Sequence, residues 1–301
     1  DYRHIKSPLA PPNVEPYAVF TTPQEILSGA PAAPYVFRFL PATPLFNQTA
    51  IFAQDEWRVH SRLSLSLGLR WELNPPPTEE HGNDAYTLLG SVKDPSSLSV
   101  ATQFTPLWKT AWYNFAPRLG AAWLIHDKPG KELVLRAGGG AFFDTGNSSA
   151  LGAFHGAGFT TTRQASAISL PAASSQFDFS ATAAEPYANT TVFLFPSHLQ
   201  PPYSLQWNIG LEKALGRNQS VTISYLGEEG HRLLQEQRSY VRSSNPSFGD
   251  VTYFPPGLTS NYQALQMKFQ RSIAYGVQAL ASYTWAHAFD YGSTSPVYPL
   301  T

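Results

Sequence analysis

The sequence predicts an all-β protein, an antiparallel up-and-down meander of about eight long strands that forms part of a transmembrane β-barrel. Three observations lead to this fold class. Apolar and polar residues alternate over long stretches, short turns alternate with long loops, and charged and aromatic residues each make up 14% of the chain. Soluble domains carry about 25% charged residues. Strands that face lipid on one side only have this charge-poor, aromatic-rich composition.

The clearest alternation lies in residues 63–72. The odd positions from Leu63 to Trp71 are leucine or tryptophan, and the even positions are serine, glycine, arginine or glutamate. Successive side chains of a strand point to opposite faces, so one face is apolar and the other polar. Residues 53–59 continue the odd apolar register before a short turn, and Asp55 is the one charge on that face. Such a stretch matches the roughly nine to eleven residues that a membrane barrel strand needs.

Four hairpins of this kind follow one another, at about residues 47–73, 111–144, 202–228 and 261–290. Each has a short turn, and long polar loops separate the hairpins. Residues 1–46 are rich in Pro and Ala, and we predict an irregular loop there with at most one helical turn at 24–27. Short turns at one end and long loops at the other are typical of bacterial outer-membrane barrels, whose long loops are extracellular.

The alternation also assigns side chains to the two faces of the predicted sheet. Polar residues at even positions, together with Asp144 at the end of its strand, are predicted to line the lumen: Arg70, Glu72, Arg118, Arg136, Asp144, Gln206, Asn208 and Glu212. Tryptophans in the odd apolar register are predicted to form the aromatic girdle at the membrane surfaces: Trp57, Trp71, Trp123, Trp207 and Trp285. The lumen residues could contact a domain inside the barrel or form a ligand path.

Composition and motifs exclude several other classes of protein. The chain has 20 Lys and Arg against 21 Asp and Glu, so it lacks the basic excess of a nucleic-acid-binding protein. It has no cysteine, and its eight histidines do not have zinc-site spacing, so we expect no metal and no cofactor. Gly138-Gly139-Gly140 lacks the Lys-Ser/Thr of a phosphate-binding loop, and there is no GxSxG motif. We therefore do not expect an enzyme.

Five segments together resemble the barrel of TonB-dependent outer-membrane receptors, most closely the Oar-like branch that is abundant in acidobacteria. They lie within residues 47–290 and read IFAQDEWRVHSRLSLSLGLRWE, NFAPRLGAAW, LRAGGGAFFD, QWNIGLEKALGRNQSVTISYLG and NYQALQMKFQRSIAYGVQALASYTWAHAFD. The resemblance implies an outer-membrane transporter of about 22 strands with a plug in its lumen. It also implies three partners: outer-membrane lipid, the plug domain and a TonB energy-coupling complex.

The sequence contains no plug domain, no TonB box and no terminal closing strand of that family. It also begins without a signal peptide or an initiator methionine. We interpret residues 1–301 as one partial barrel domain of a longer protein, which takes up a siderophore, a glycan or a peptide. The alternative is a complete small eight-stranded outer-membrane barrel that acts as an adhesin or a structural protein.

The longest loop, residues 145–201, is the predicted site of ligand capture. Aromatic residues and a few hydrogen-bond donors lie there among small residues, which suits an amphipathic or sugar-like ligand. The candidate contacts are Phe154, His155, Phe159, Arg163, Phe177 and Tyr187. A loop that only shields the mouth of the barrel would have the same composition.

Overall fold

The computed structural model describes residues 1–31, 35–145, 147–164, 187, 190–274 and 276–291. One large antiparallel sheet dominates these residues, beside three small sheets and a few short helices. Across the described ranges, no helix has both the length and the apolar character needed to cross a membrane. The strand order of the large sheet confirms the predicted all-β antiparallel meander.

In chain order the elements are β1 (Tyr2–Lys6), β2 (Val14–Tyr17), α1 (Pro23–Ser28), β3 (Tyr35–Phe39), β4 (Pro44–His60), β5 (Leu63–Leu73), β6 (Thr78–Glu79), β7 (Leu88–Ser91), β8 (Asp94–Val100), β9 (Asn114–His126), β10 (Leu133–Phe143), α2 (Asn147–Gly152), a 3₁₀ turn (Ala153–His155), β11 (Thr160–Gln164), β12 (Val192–Leu194), β13 (Tyr203–Ala214), β14 (Gln219–Leu234), β15 (Gln237–Tyr240), β16 (Asp250–Tyr253), β17 (Pro256–Ala274) and β18 (Val277–Asp290).

The large sheet has the strand order β1-β4-β5-β9-β10-β13-β14-β17-β18, and β6 also pairs with β4. Eight long strands, from β4 to β18, thus pair in the order in which they occur in the chain. Within the described ranges, β1 and β18 each have one neighbour in this sheet and do not pair with each other. The sheet is therefore open and is not a closed eight-stranded barrel.

The pairing register keeps odd-numbered residues opposite odd-numbered residues across all eight long strands, apart from bulges near the strand ends. Leu65 pairs with Trp57 on one side and with Ala121 on the other. Because a slip of one residue would exchange the two faces, this shared register makes the leucine- and tryptophan-rich face continuous across the sheet. Many of its side chains are exposed, and Leu67 is 45% exposed.

Residues 1–46 contain more regular structure than predicted. β1 pairs with β4 from Tyr2–Thr49 to Lys6–Leu45, and β2 and β3 form part of a small sheet. Helix α1 begins after Thr22, whose hydroxyl accepts a hydrogen bond from the Glu25 N–H. The prediction of an irregular loop was wrong. These strands are only four or five residues long and are separated by proline-containing segments, so their alternation is too short to be a clear signal.

The long connections at the loop end of the large sheet fold into a compact layer, which we call the loop cap (described parts of residues 7–43, 74–113, 144–202 and 235–255). It contains the small sheets β2–β3–β11, β7–β8 and β12–β16–β15. One apolar core comprises residues from all four connections and the start of β4: Ala42, Phe46, Ala85, Leu107, Trp108, Ala150, Ala153, Phe154, Phe159, Phe195, Leu199 and Phe254. A second core contains Leu88, Leu98, Ala157, Tyr187, Val192, Val241, Phe248 and Val251.

Candidate functional site in the loop cap and on the polar face

The even face of the large sheet collects the polar residues predicted for the lumen. Arg118 lies between Gly68 and Gly140, and Asn208 lies between Gly138 and Leu226. The register likewise brings five more predicted residues to this face: Arg70, Glu72, Arg136, Gln206 and Glu212. Asp144 follows the last residue of β10, and its carboxylate accepts a hydrogen bond from the Thr145 N–H.

A groove of about 370 Å³ on this face is lined by residues of β9, β10, β13, β14 and β17, among them Arg118. The Arg118 guanidinium lies 4.5 Å from the centre of the Phe142 ring, a cation–π contact that holds the charge in place. The floor of the groove is open at Gly138 and Gly140, because glycine has no side chain. At the rim, the Gln206 amide donates a hydrogen bond of 3.2 Å to Glu228.

The three arginines predicted for the lumen differ in their partners. Half-buried Arg70 donates from Nε to Glu72 at 2.5 Å, so its charge is largely neutralised. Arg118 and Arg136 are exposed, and neither forms an ion pair with any other residue that the structure describes. An anionic group could therefore bind at Arg118 or Arg136 without displacing a carboxylate.

The aromatic residues predicted to capture a ligand pack into the loop cap instead of facing solvent. Phe154 is 2% exposed and Phe159 is 1% exposed, with their ring centres 5.5 Å apart in the first core. Tyr187 stacks on Phe248 in the second core. These three rings stabilise the cap by burial, and none offers a surface to a ligand. His155 and Arg163 are exposed, and Phe177 lies outside the described residues.

A groove that the sequence did not indicate lies between three segments of the loop cap. It has a volume of about 380 Å³ and is largely apolar, with Ser91 and Ser197 among its polar residues. The lining comes from Leu88–Val92, Leu194–Ser197 and Tyr253–Pro255, and Leu89 is 46% exposed. Since these segments are far apart in the chain, no local sequence pattern could have revealed the groove.

A buried carboxylate ties the start of β4 to the loop after β5. Glu79 accepts backbone N–H hydrogen bonds from Thr43 at 2.9 Å and from His81 at 2.6 Å. Burial opposes its ionisation, but these donors and the Asn83 N–H outweigh burial, so the pKa of Glu79 lies below its ordinary value. Elsewhere in the cap, burial raises the pKa of Asp250. The positive charge of Arg238 lowers this pKa by a smaller amount, so the net shift is upward.

The five tryptophans predicted for the girdle lie at two levels of the sheet. Trp57 and Trp123 lie near the turn ends of β4 and β9. Trp71, Trp207 and Trp285 lie in the loop-side halves of β5, β13 and β18, and the Trp71 indole donates to the Trp112 carbonyl.

No cluster of three or more His, Asp or Glu residues suited to a metal occurs in the part of the chain that the structure describes.

A meander of long strands with one apolar face, one polar face and folded loops at one end defines an outer-membrane β-barrel protein. The chain belongs to the outer membrane beta barrel domain family, whose model matches residues 20–298. It is accordingly a protein of the bacterial outer membrane. No curated protein matches the sequence significantly.

Several solved structures are similar to the chain at low sequence identity. The structure of the FpvAI–pyocin S2 complex matches at 14% identity with a TM-score of 0.46, over 84% of this chain and 24% of that one. The alcaligin outer-membrane receptor FauA from Bordetella pertussis matches at 13% identity and a TM-score of 0.43, over 86% and 34%. The ferripyoverdine receptor of Pseudomonas aeruginosa matches at 11% identity and a TM-score of 0.43, over 86% and 29%. The chain thus spans about a quarter to a third of these structures.

Proposed function

We propose that this chain is part of the barrel of a TonB-dependent outer-membrane transporter that takes up a nutrient. The observation that carries the proposal is the loop cap, whose two apolar cores give the long loops a fixed structure with a groove between them. Binding residues are commonly placed on loops that a rigid scaffold holds. Membership of the outer-membrane barrel family and the sequence resemblance to TonB-dependent receptors support the same function.

In this proposal the odd face of the large sheet meets lipid and the even face lines the lumen. The exposed leucines of the odd face, such as Leu67 and Leu119, would be unfavourable in water and suit a hydrocarbon environment. The tryptophans near both ends of the strands would then form the two girdles. Residues 1–301 are one partial barrel domain, and the plug and the contact with the TonB complex belong to other parts of the protein.

We assign first contact with the nutrient to the cap groove and not to the buried aromatic residues of the longest loop. Its apolar lining at Leu89, Phe195 and Tyr253 suits the apolar part of a ligand, and Ser91 and Ser197 can hydrogen-bond to a polar part. A siderophore, a glycan or a peptide could each have such an amphipathic surface. Exposed Arg118 and Arg136 would offer later contacts to an anionic group in the lumen.

Growth of a deletion strain tests this function. The full-length gene is deleted and the strain is grown with a ferric siderophore, a glycan or a peptide as the only source of iron, carbon or nitrogen. We expect loss of growth on one of these sources and recovery with the wild-type gene. A deletion strain that grows like the parent on all three sources would contradict a role in uptake.

Two complementing variants then locate the entry site. Leu89→Arg places a long charged side chain in the cap groove, and Tyr240→Arg changes an exposed cap residue outside the groove. We expect Leu89→Arg to reduce uptake strongly while the protein is still assembled in the membrane, and Tyr240→Arg to retain uptake. Equal uptake by the two variants would exclude the groove as the entry site.

A further inference from the structure

The four short turns of the large sheet lie at its end away from the loop cap and carry an excess of positive charge. We call them the turn rim (residues 59–63, 126–132, 213–219 and 271–274). Six lysines and arginines lie in the rim: Arg62, Lys128, Lys131, Lys213, Arg217 and Arg271. Its acidic residues are Asp127 and Glu132. The rim thus has six of the 20 Lys and Arg of the chain but only two of the 21 Asp and Glu, so positive charge is concentrated at this end.

Contacts between neighbouring turns join the rim into one surface. An ion pair between Arg62 and Asp127 joins the first turn to the second. The Gly216 N–H donates a hydrogen bond of 2.8 Å to the Gly130 carbonyl, which joins the third turn to the second. A backbone hydrogen bond of 2.8 Å from the Ser272 N–H likewise joins the fourth turn to the third. The positive charges of all four turns are therefore held side by side.

Several cations of the turn rim have no acidic partner. Lys128, Lys131 and Arg217 are exposed, and none of them forms an ion pair with another residue in the described ranges. The Lys213 ammonium donates a hydrogen bond of 2.9 Å to the Lys131 carbonyl, which leaves its positive charge without a counter-charge. Like charges that are held close together repel one another, and an anionic partner would remove this cost.

The position of the turn rim in the fold indicates which anion it meets. Short turns of outer-membrane barrels lie on the periplasmic side, where the membrane leaflet consists of phospholipids. Trp57 and Trp123 of the predicted girdle lie near the same ends of their strands, so the rim follows directly beyond the hydrocarbon. Long Lys and Arg side chains at such positions extend into the headgroup layer. Lipid phosphates are therefore the anions next to the rim.

We propose that the turn rim binds the headgroups of anionic phospholipids in the periplasmic leaflet. The central contacts are Lys131 and Lys213, which their hydrogen bond brings together, and Arg217 in the adjoining turn. A phosphatidylglycerol headgroup carries only a negative charge and is attracted by all three side chains. Phosphatidylethanolamine also carries an ammonium group, which the same side chains repel. The inference depends on the periplasmic position of the short turns and not on the proposed transport.

Lipid binding by the full-length protein tests this proposal. The purified protein in a neutral detergent is titrated with phosphatidylglycerol or phosphatidylethanolamine of the same acyl chains, and bound lipid is counted by native mass spectrometry. We expect phosphatidylglycerol to bind about tenfold more tightly, because each Lys or Arg near an anionic headgroup adds to the attraction. Added salt should reduce the difference, since it screens exposed charges. Equal binding of the two lipids by the wild-type protein would overturn the proposal.

Three variants locate the lipid site. The rim variant loses three exposed cations: Lys128→Gln, Lys131→Gln and Arg217→Gln. The control variant loses three exposed cations of the loop cap: Lys93→Gln, Lys109→Gln and Arg242→Gln. The charge-preserving variant keeps the positive charges of the rim: Lys128→Arg, Lys131→Arg and Arg217→Lys.

We expect only the rim variant to lose the preference for phosphatidylglycerol, because only this variant removes positive charge next to the periplasmic headgroups. Retention of the preference by the rim variant would contradict the proposal. Its loss in the control or the charge-preserving variant would do so as well. None of these measurements involves uptake, so failure of the transport proposal would be seen independently.

Discussion

The indole of Trp207 lies across Gly227, its direct neighbour on β14. A Cβ atom added at Gly227 would lie within 2.5 Å of both Nε1 and Cζ2 of the indole, a separation that no real structure tolerates. The two residues therefore depend on each other. Gly227 provides the space in which a large ring lies flat against the apolar face of the sheet.

We expect Gly227→Ala to destabilise the assembled barrel by about 1–3 kcal/mol, because the indole must leave its position. Gly120→Ala is the matched control in another strand, where the new methyl group would meet Ser66 Cβ at an ordinary 3.5 Å. Unfolding midpoints of the assembled protein on SDS gels measure both changes. In a protein that already carries Trp207→Ala, Gly227→Ala should have little further effect, since the stability changes of substitutions at contacting residues are not additive. Additive effects would show that the ring does not constrain Gly227.

The assignment of the two faces leads to a second prediction, for the neighbouring residues Ser66 and Leu67. Leu67→Arg should lower the amount of assembled protein in outer-membrane fractions, because an arginine that faces lipid at mid-membrane costs about 2–4 kcal/mol. Ser66→Arg is the control, since its side chain lies on the opposite, polar face. Equal assembly of the two variants would refute the proposed contact of the odd face with lipid.

Sequence alone predicted the strands best where one face is strictly apolar, as from Leu63 to Trp71. Alternation was also sufficient to place Arg118 and Asn208 on the same face, because even-numbered residues pair with even-numbered residues from strand to strand. It did not predict that β4 begins at Pro44 or that β17 begins at Pro256. These ends lie beyond the regular alternation, and proline argued against a strand.

The loop cap could not be predicted because its cores are built from residues with no common period. Phe154, Val192 and Phe248 become buried through contacts between separate connections. An aromatic residue among small residues has the same local sequence whether it binds a ligand or fills a core. Only the tertiary structure distinguishes the two roles. For this reason, three of the aromatic residues predicted as ligand contacts in the longest loop are buried in the structure.

A third prediction concerns the pH dependence of the loop cap. The pKa of Glu79 is lower in the folded protein than its ordinary value of 4.5, so its ionised form favours the folded state. This contribution is present above the ordinary value and is lost as the pH falls through the lowered pKa. We expect residues 74–84 to become more sensitive to an acid-active protease below about pH 4.5.

Two variants separate Glu79 from the opposing effect of Asp250. Glu79→Gln should weaken the acid sensitivity, because the group that loses its stabilising charge is absent. The raised pKa of Asp250 means that protonation of this group favours the folded cap as the pH falls. Asp250→Asn should therefore make the acid sensitivity steeper. The same profile for Glu79→Gln and the wild-type protein would show that another group controls the transition.

The last prediction tests whether the loop cap is a folded unit that the barrel does not need. Phe154→Ala removes a ring that is 2% exposed and packs on Phe159, a change that typically costs about 3–5 kcal/mol. Because this ring packs within the cap and not between the long strands, we expect normal assembly of the barrel in the outer membrane. Limited proteolysis should instead cut the other connections of the cap faster, including residues 85–108, which share the first core with Phe154. Tyr240→Ala, at an exposed position of the cap, should leave the cleavage rate unchanged. If Phe154→Ala prevents assembly, the cap and the barrel fold as one unit, and if cleavage is unchanged, the first core does not hold the loops together.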